Sequence, residues 1–275
     1  MTGPVLVWGA HGLVGRRVVA RWGEACVGVG REVDVRDARD VDAHVRRIAP
    51  RAVLLLAAFT AVDAAEQSAE AWSTNAVGPL VVARACAARG IPLWFVSTDH
   101  VFDGTLGRPL REDDPACPIN RYGASKRAGE LAVLRHRGRV VRTSWVLGED
   151  GGVAARFLAR AGETLNVVAD AWGSPTPADA LADALVALVD APPSRAVPPL
   201  LHVAGPVGAT WWHVARSLLG PDTTVHAVPA SAHAAAARRP RDARLDVAQL
   251  RAWYGRDLPA AVGVNDVGLV VVGSV

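Results

Sequence analysis

Lysine occurs once in this chain, at position 126, although Lys and Arg together number 30 of the 275 residues. Tyrosine occurs twice, at Tyr122 and Tyr254, and methionine once. Cysteine is limited to Cys26, Cys86 and Cys117, whose separations match no metal-binding spacing. So sparse and odd a set points to reduced thiols and excludes a disulfide framework. No apolar run reaches the roughly 18 residues that a membrane span needs. No basic leader or cleavage-site pattern precedes Val5-Leu6-Val7-Trp8, so a cytoplasmic protein with no membrane partner is expected. Charge of one sign is lacking as well. The net charge is +3 and acids interrupt the basic residues throughout, which leaves no stripe for nucleic acid despite a pI of about 9.1.

What is present is enough to build a core: 51% of residues are hydrophobic and the mean hydropathy is +0.19. Short apolar runs alternate with helical stretches along the first two-thirds of the chain. Strands are expected at residues 4–8, 26–30, 51–59, 91–97, 140–145 and 200–203. Helices are expected at 13–22, 40–48, 71–88 and 122–135, the last with Ala124, Ala128, Leu131 and Ala132 along one side. The run at 51–59 is almost continuously apolar, as a parallel strand buried on both faces should be. This alternation predicts an α/β protein, a Rossmann-type doubly wound parallel sheet with right-handed crossovers. Proline pairs at 192–193 and 198–199 punctuate a less regular remainder. The expected division is a dinucleotide-binding domain over residues 1–148 and a smaller C-terminal substrate-binding lobe over 149–275. A strand near 200–204 should return to the main sheet.

Three groups of residues carry chemistry. Gly9, Gly12 and Gly15 lie between the first strand and the first helix. Glycines there permit a tight turn and bring backbone close to a pyrophosphate at the helix N-terminus. Tyr122 and Lys126 form a Y-x-x-x-K pair, which a helix places on one face. The ammonium is then expected to lower the phenol pKa from about 10 towards neutrality, making Tyr122 a proton donor to a developing alkoxide. A chain that uses arginine elsewhere has a reason to keep its one compact ammonium there. Ser97, Thr98 and Asp99 end the fourth strand, where open α/β sheets bind ligands. A hydroxyl at that point can meet a substrate carbonyl, or merely cap the next turn. Asp63 and Glu66 read as helix N-terminal acids with no further role.

These motifs stand in an ordered set that resembles the extended short-chain dehydrogenase/reductases, and within them the dTDP-4-dehydrorhamnose reductase family. The set comprises G-A-H-G-L-V-G at Gly9, A-A-F-T-A-V-D at Ala57, S-T-D-H-V-F-D-G at Ser97 and N-R-Y-G-A-S-K at Asn120. It continues with R-T-S-W-V-L-G at Arg142, G-S-P-T at Gly173 and R-P-R-D-A-R-L at Arg239. The resemblance runs from about residue 4 to about residue 250. It implies Thr98, Tyr122 and Lys126 as the catalytic triad. It implies cofactor contacts from Gly9, Gly12, Leu13, Val14, Gly15, Asp34, Val35, Ala58, Phe59 and Thr60, with Tyr122 and Lys126. It places Thr98, Asp99, His100 and Trp145 at the sugar and Arg239 near the nucleotide.

The resemblance therefore implies reduction of the 4-keto group of a nucleotide-linked, dTDP-type 4-keto-6-deoxyhexose. Arg31 can bind a 2′-phosphate, which points to NADPH, while Glu32 can accept from a ribose hydroxyl, which keeps NADH open. A homodimer is left open. Three departures stand out. The family's tyrosine after Thr-Asp is His100 here, and the neighbouring Asp99 is expected to favour the protonated ring. The C-terminal L-P-x-W pattern stops at Leu258-Pro259, and residues 262–275 form a tail rich in Val and Gly. No position matches the metal-binding acids of some members, so no metal is expected. Two other readings remain: a sugar-nucleotide epimerase or dehydratase, and a non-catalytic NADP-binding regulatory subunit. The dehydratase acidic pair after the threonine is incomplete at Asp99-His100, and the intact triad argues against the regulatory role.

Overall fold

The computed structural model describes residues 3–265 and 268–270. Its first half alternates as expected: β1 (Val5–Trp8), α1 (Gly15–Trp22), β2 (Cys26–Val29), α2 (Ala38–Ile48) and β3 (Ala52–Leu55). Two short helices follow, α3 (Val62–Ala65) and α4 (Ala69–Trp72), then α5 (Gly78–Ala87), β4 (Leu93–Thr98), α6 (Arg121–Arg135) and β5 (Arg139–Thr143). Smaller pieces make up much of the remainder: β6 (Val146–Leu147), α7 (Gly152–Leu158), β7 (Leu165–Val168), β8 (Trp172–Gly173) and β9 (Thr176–Pro177). Then come α8 (Ala178–Val189), β10 (Leu200–His202), β11 (Ala209–Thr210), α9 (Trp211–Leu219), β12 (Val225–Val228), α10 (Ala248–Tyr254), β13 (Gly263–Asn265) and β14 (Gly268–Val270). Residues 266, 267 and 271–275 of the tail lie outside the described residues.

Six strands form one sheet in the order β10-β5-β4-β3-β1-β2, all parallel. Strand residues alternate between two cores, because successive side chains leave opposite faces of a sheet. Val5, Val7 and Leu54 join Leu181, Leu185 and Leu188 of α8 on one face. Leu6, Trp8, Val53 and Leu55 join Val41 and Val45 of α2 and Val82 of α5 on the other. β10 adds the strand expected near residue 200 as a parallel neighbour of β5, Leu201 facing Val141.

One expected helix differs. The stretch at 71–88 is not one helix. Between α4 and α5 a π turn spans Ser73–Val77. Pro79 supplies the cause: it lacks the N–H that would bond to the carbonyl four residues back, that of Asn75, and its ring crowds that carbonyl. In α6 the alanine side is not the buried side. Leu131 is 53% exposed, whereas Tyr122, Ser125, Lys126, Gly129 and Glu130 are buried. Polar groups occupy that inner face because it packs on the end of β4 and on the buried Glu130–Arg142 pair. The strand expected at 140–145 ends at Thr143, where Ser144 turns to Asp99 and Trp145 adopts a left-handed φ of 40°. No helix among the described residues is long and apolar enough to cross a membrane.

Candidate active site

The turn after β1 is a backbone cradle. Gly9 has φ 88°, and a Cβ on it would lie 2.6 Å from the Ala57 N, while one on Gly15 would lie 2.0 Å from the Gly9 O. Only glycine fits this packing of strand, turn and helix. The Gly12 N–H closes the turn onto the Gly9 O at 3.1 Å. The N–H groups of Leu13 and Val14 have no partner among the described residues, since both stay in the turn and α1 begins at Gly15. Unsatisfied N–H groups at a helix start suit an anionic diphosphate, so the residues present fit a dinucleotide.

At the edge beside β2, Arg31 is exposed and has no partner among the described residues. Glu32 turns its carboxylate back to accept from the Gly30 N at 2.6 Å. Asp34 is engaged by Arg36 through Nε and Nη2, at 2.8 and 2.7 Å, and Val35 is buried. Ala58, Phe59 and Thr60 follow β3. Asn75 of the π turn holds Phe59 by both backbone groups: its Oδ1 accepts from the Phe59 N and its Nδ2 donates to the Phe59 O, each at 2.9 Å. The same Nδ2 reaches Ser125 of α6 at 3.1 Å. Asn75 thus ties this strap to the Tyr122–Lys126 helix. Pro79 four residues on signals a break in the helix here, but that the break aims Asn75 at Phe59 and Ser125 depends on tertiary packing.

Thr98 at the end of β4 meets Tyr122 in the first turn of α6, while Lys126, one turn further on, reaches back to β4 at Val96. Tyr122 does not have the expected lowered pKa. Burial pushes it up to about 12, outweighing the Thr98 hydroxyl against the phenol, with Asp99 adding to the rise. Lys126 is absent from these influences: its Nζ donates to the Val96 O at 2.7 Å and lies 4.0 Å from the centre of the Phe95 ring. Burial lowers Lys126 to about 7, against the pull of Glu130 one turn further on. Glu130 is wholly buried and pairs bidentately with Arg142 of β5 at 2.8 Å for each bond. Its position four residues after Lys126 was the legible sign that it shares that face.

Around the triad, Asp99 is buried. It accepts from Thr98 Oγ1 at 2.9 Å and from Ser144 Oγ at 2.7 Å. His100 packs edge-on against Tyr122, with ring centres 5.5 Å apart. The expected protonated ring is a correction: burial is the largest influence and lowers its pKa, exceeding the pull of Asp99. Trp145 stacks on Trp211 of α9 with centres 3.8 Å apart and planes 7° from parallel. A left-handed conformation in a tryptophan is strained and concentrates at functional sites.

Asp63 and Glu66 have partners after all. Asp63 pairs with Arg239 at 2.6 and 2.7 Å and accepts from the Ala237 N at 2.9 Å. Glu66 accepts from the Arg121 N at 2.8 Å, at the start of α6. Both acids join segments distant in sequence, which spacing within one helix cannot show.

The family described as RmlD substrate binding domain matches residues 2–261. The chain belongs to that family. It is 40% identical over 263 residues to a dTDP-4-dehydrorhamnose reductase of Streptomyces griseus, covering 90% of this chain and 86% of that protein. It is 38% identical to a dTDP-4-keto-6-deoxy-D-glucose reductase of Streptomyces niveus, covering 88% of each. Among solved structures it is similar to the dTDP-4-dehydrorhamnose reductase of Bacillus anthracis in complex with NADP. There the TM-score is 0.87 and the identity 29%, over 94% of this chain and 96% of that one.

Proposed function

We propose that this member of the family reduces the 4-keto group of a dTDP-linked 4-keto-6-deoxyhexose, of the dTDP-4-dehydrorhamnose kind, with NADPH. The observations that carry the reading are the hydrogen bond between Thr98 and Tyr122, with Lys126 one turn further along α6, and, at the same C-terminal edge of the parallel sheet, a glycine turn whose free N–H groups suit a dinucleotide. In this reading residues 1–148 supply the cofactor side and 149–275 the sugar-facing lobe.

Bound NADPH supplies the hydride. Tyr122 supplies the proton to the oxygen that becomes alkoxide, and a phenol held neutral by burial arrives with that proton in place. Thr98, at the end of β4, would polarise the carbonyl by turning to it the hydroxyl proton that it gives to Asp99 in the structure. As an ammonium, Lys126 keeps two donors beyond its bond to Val96, and these would hold the nicotinamide ribose. The glycine turn with Leu13 and Val14 would hold the diphosphate, and Ala58 to Thr60 would line the strap beside it. Arg31, free and exposed, would meet a 2′-phosphate. Asp34 and Val35 would border the adenosine end. Asp99, His100 and Trp145 would face the sugar. Arg239 would face the nucleotide once Asp63 yields it. The burial around Tyr122 fixes the polar groups in advance, so little reorganisation accompanies charge development.

The test is NADPH consumption by the purified protein with dTDP-4-dehydrorhamnose and with dTDP-4-keto-6-deoxy-D-glucose, followed by NMR of the product at C4. Stoichiometric NADPH loss and a new C4 hydroxyl are expected. Failure to consume NADPH with either sugar overturns the reading.

A further inference from the structure

His100 is oriented by a residue that has a second duty. Asn120 is the N-cap of α6, and its Oδ1 accepts from the Gly123 N at 2.7 Å. That bond decides which end of the amide is oxygen. The Nδ2 therefore faces the other way, donating to the Arg238 O at 2.8 Å and lying 3.0 Å from His100 Nδ1. An amide nitrogen donates and does not accept. His100 Nδ1 must then be the acceptor, and the ring is neutral with its proton on Nε2.

The surroundings hold the ring in this state. The His100 N donates to Thr98 Oγ1 at 3.2 Å. Gly123 lies so close beneath that a Cβ on it would be 2.0 Å from the His100 O. Tyr122 of α6 covers one side of the ring. Two charged groups act on it: Asp99 at the end of β4 favours protonation, and Arg239 of the segment between β12 and α10 opposes it. Nε2 has no partner among the described residues, and it is not among the buried polar atoms left without one.

We propose that Asn120 locks His100 as the neutral Nε2–H tautomer, so that the cleft offers the sugar one fixed hydrogen-bond donor whose state does not change with pH near neutrality. This rests on the sugar-nucleotide reading above. A sugar bearing a hydroxyl or ring oxygen at that point supplies the lone pair this donor needs. A protonated amino group there supplies none and is rejected.

Long-range proton–nitrogen NMR of the whole protein without ligand reads the ring directly, with the His100 signals identified by their loss in His100→Gln. A protonated Nε2 and an unprotonated Nδ1, constant from about pH 8 to about pH 5.5, are expected. A proton on Nδ1, or titration of the ring in that window, overturns the proposal. Asn120→Asp keeps an N-cap oxygen but can only accept, so the ring should become protonated in the same window. A ring indifferent to Asn120→Asp also overturns it. In kcat/KM with dTDP-4-dehydrorhamnose, His100→Asn should lose at least about tenfold more than His100→Gln, whose amide nitrogen reaches the Nε2 position. Equal losses overturn the sugar contact. Absence of turnover in the unmutated protein overturns the reductase reading instead, and the ring spectrum distinguishes that failure from this one.

Discussion

Two regions along the sheet, one at β4 and one at β2, are built by opposite means. Beneath Tyr122 and Lys126, Asp99, Glu130, Arg142 and Ser144 are all buried, and each is held by a hydrogen bond or ion pair. At the β2 edge, Arg31, Glu32 and Arg36 are exposed, and the pairs there form between near neighbours in sequence. A charge removed from water needs a partner, so the buried end has one arrangement before any ligand arrives. An exposed charge is satisfied by water and waits for a ligand to give it a role. On the proposed reading, the difference would put the reaction chemistry in the interior and cofactor choice at a rim that substitution can alter cheaply.

The largest break in this contrast should come from Glu130→Ala, which strands Arg142 without its partner. Urea unfolding should show a loss of about 3–5 kcal/mol, as for other buried pairs cut on one side. A loss near zero would mean that water enters the network and that the end is not truly interior. Next, Tyr122→Phe keeps the packing and removes the proton. We expect kcat to fall by roughly 10²-fold or more with NADPH affinity nearly unchanged. Turnover close to that of the parent would assign the proton to another group.

At the rim, Arg31→Ala should weaken NADPH by about 10- to 100-fold and leave NADH almost untouched, the size of one charge-assisted contact. Equal effects on the two cofactors would place Arg31 away from the 2′-phosphate. Lys126 offers a pH test of the interior. Its folded pKa of about 7 lies below the ordinary 10.5, so between these values the unfolded chain holds a proton that the native site has shed. Stability relative to Lys126→Met should therefore rise by on the order of 1–2 kcal/mol between pH 7 and about pH 9. A flat difference would show the ammonium to be fully charged throughout. The smallest effect should come from Asp63→Asn. Its ion pair with Arg239 is also bidentate, but the side chains are 48% and 37% exposed. We expect a change of about 0–1 kcal/mol in unfolding free energy, and a loss near that of Glu130→Ala would erase the distinction between rim and interior.

Local pattern alone determined the order of strands and helices, the glycine turn and the Tyr122–Lys126 pair. These depend on residues within a few positions of one another, and the alternating and helical periods report them directly. The Asn120 cap belongs to the same class, since an asparagine just before a helix is a start signal. Only the tertiary structure decided the rest. It brought α6 against the Asn75 carbonyl where Pro79 had already interrupted the helix expected at 71–88. It turned the polar side of α6 inward and left Leu131 outside. It raised the Tyr122 pKa where the lysine spacing had suggested lowering, because desolvation depends on what surrounds a group from every direction. It joined Asp63 to Arg239 and Asn120 to His100 across 176 and 20 residues of chain. Spacing tells which groups share a face; only the packed fold removes water from around them, and that removal sets their charge and their partners.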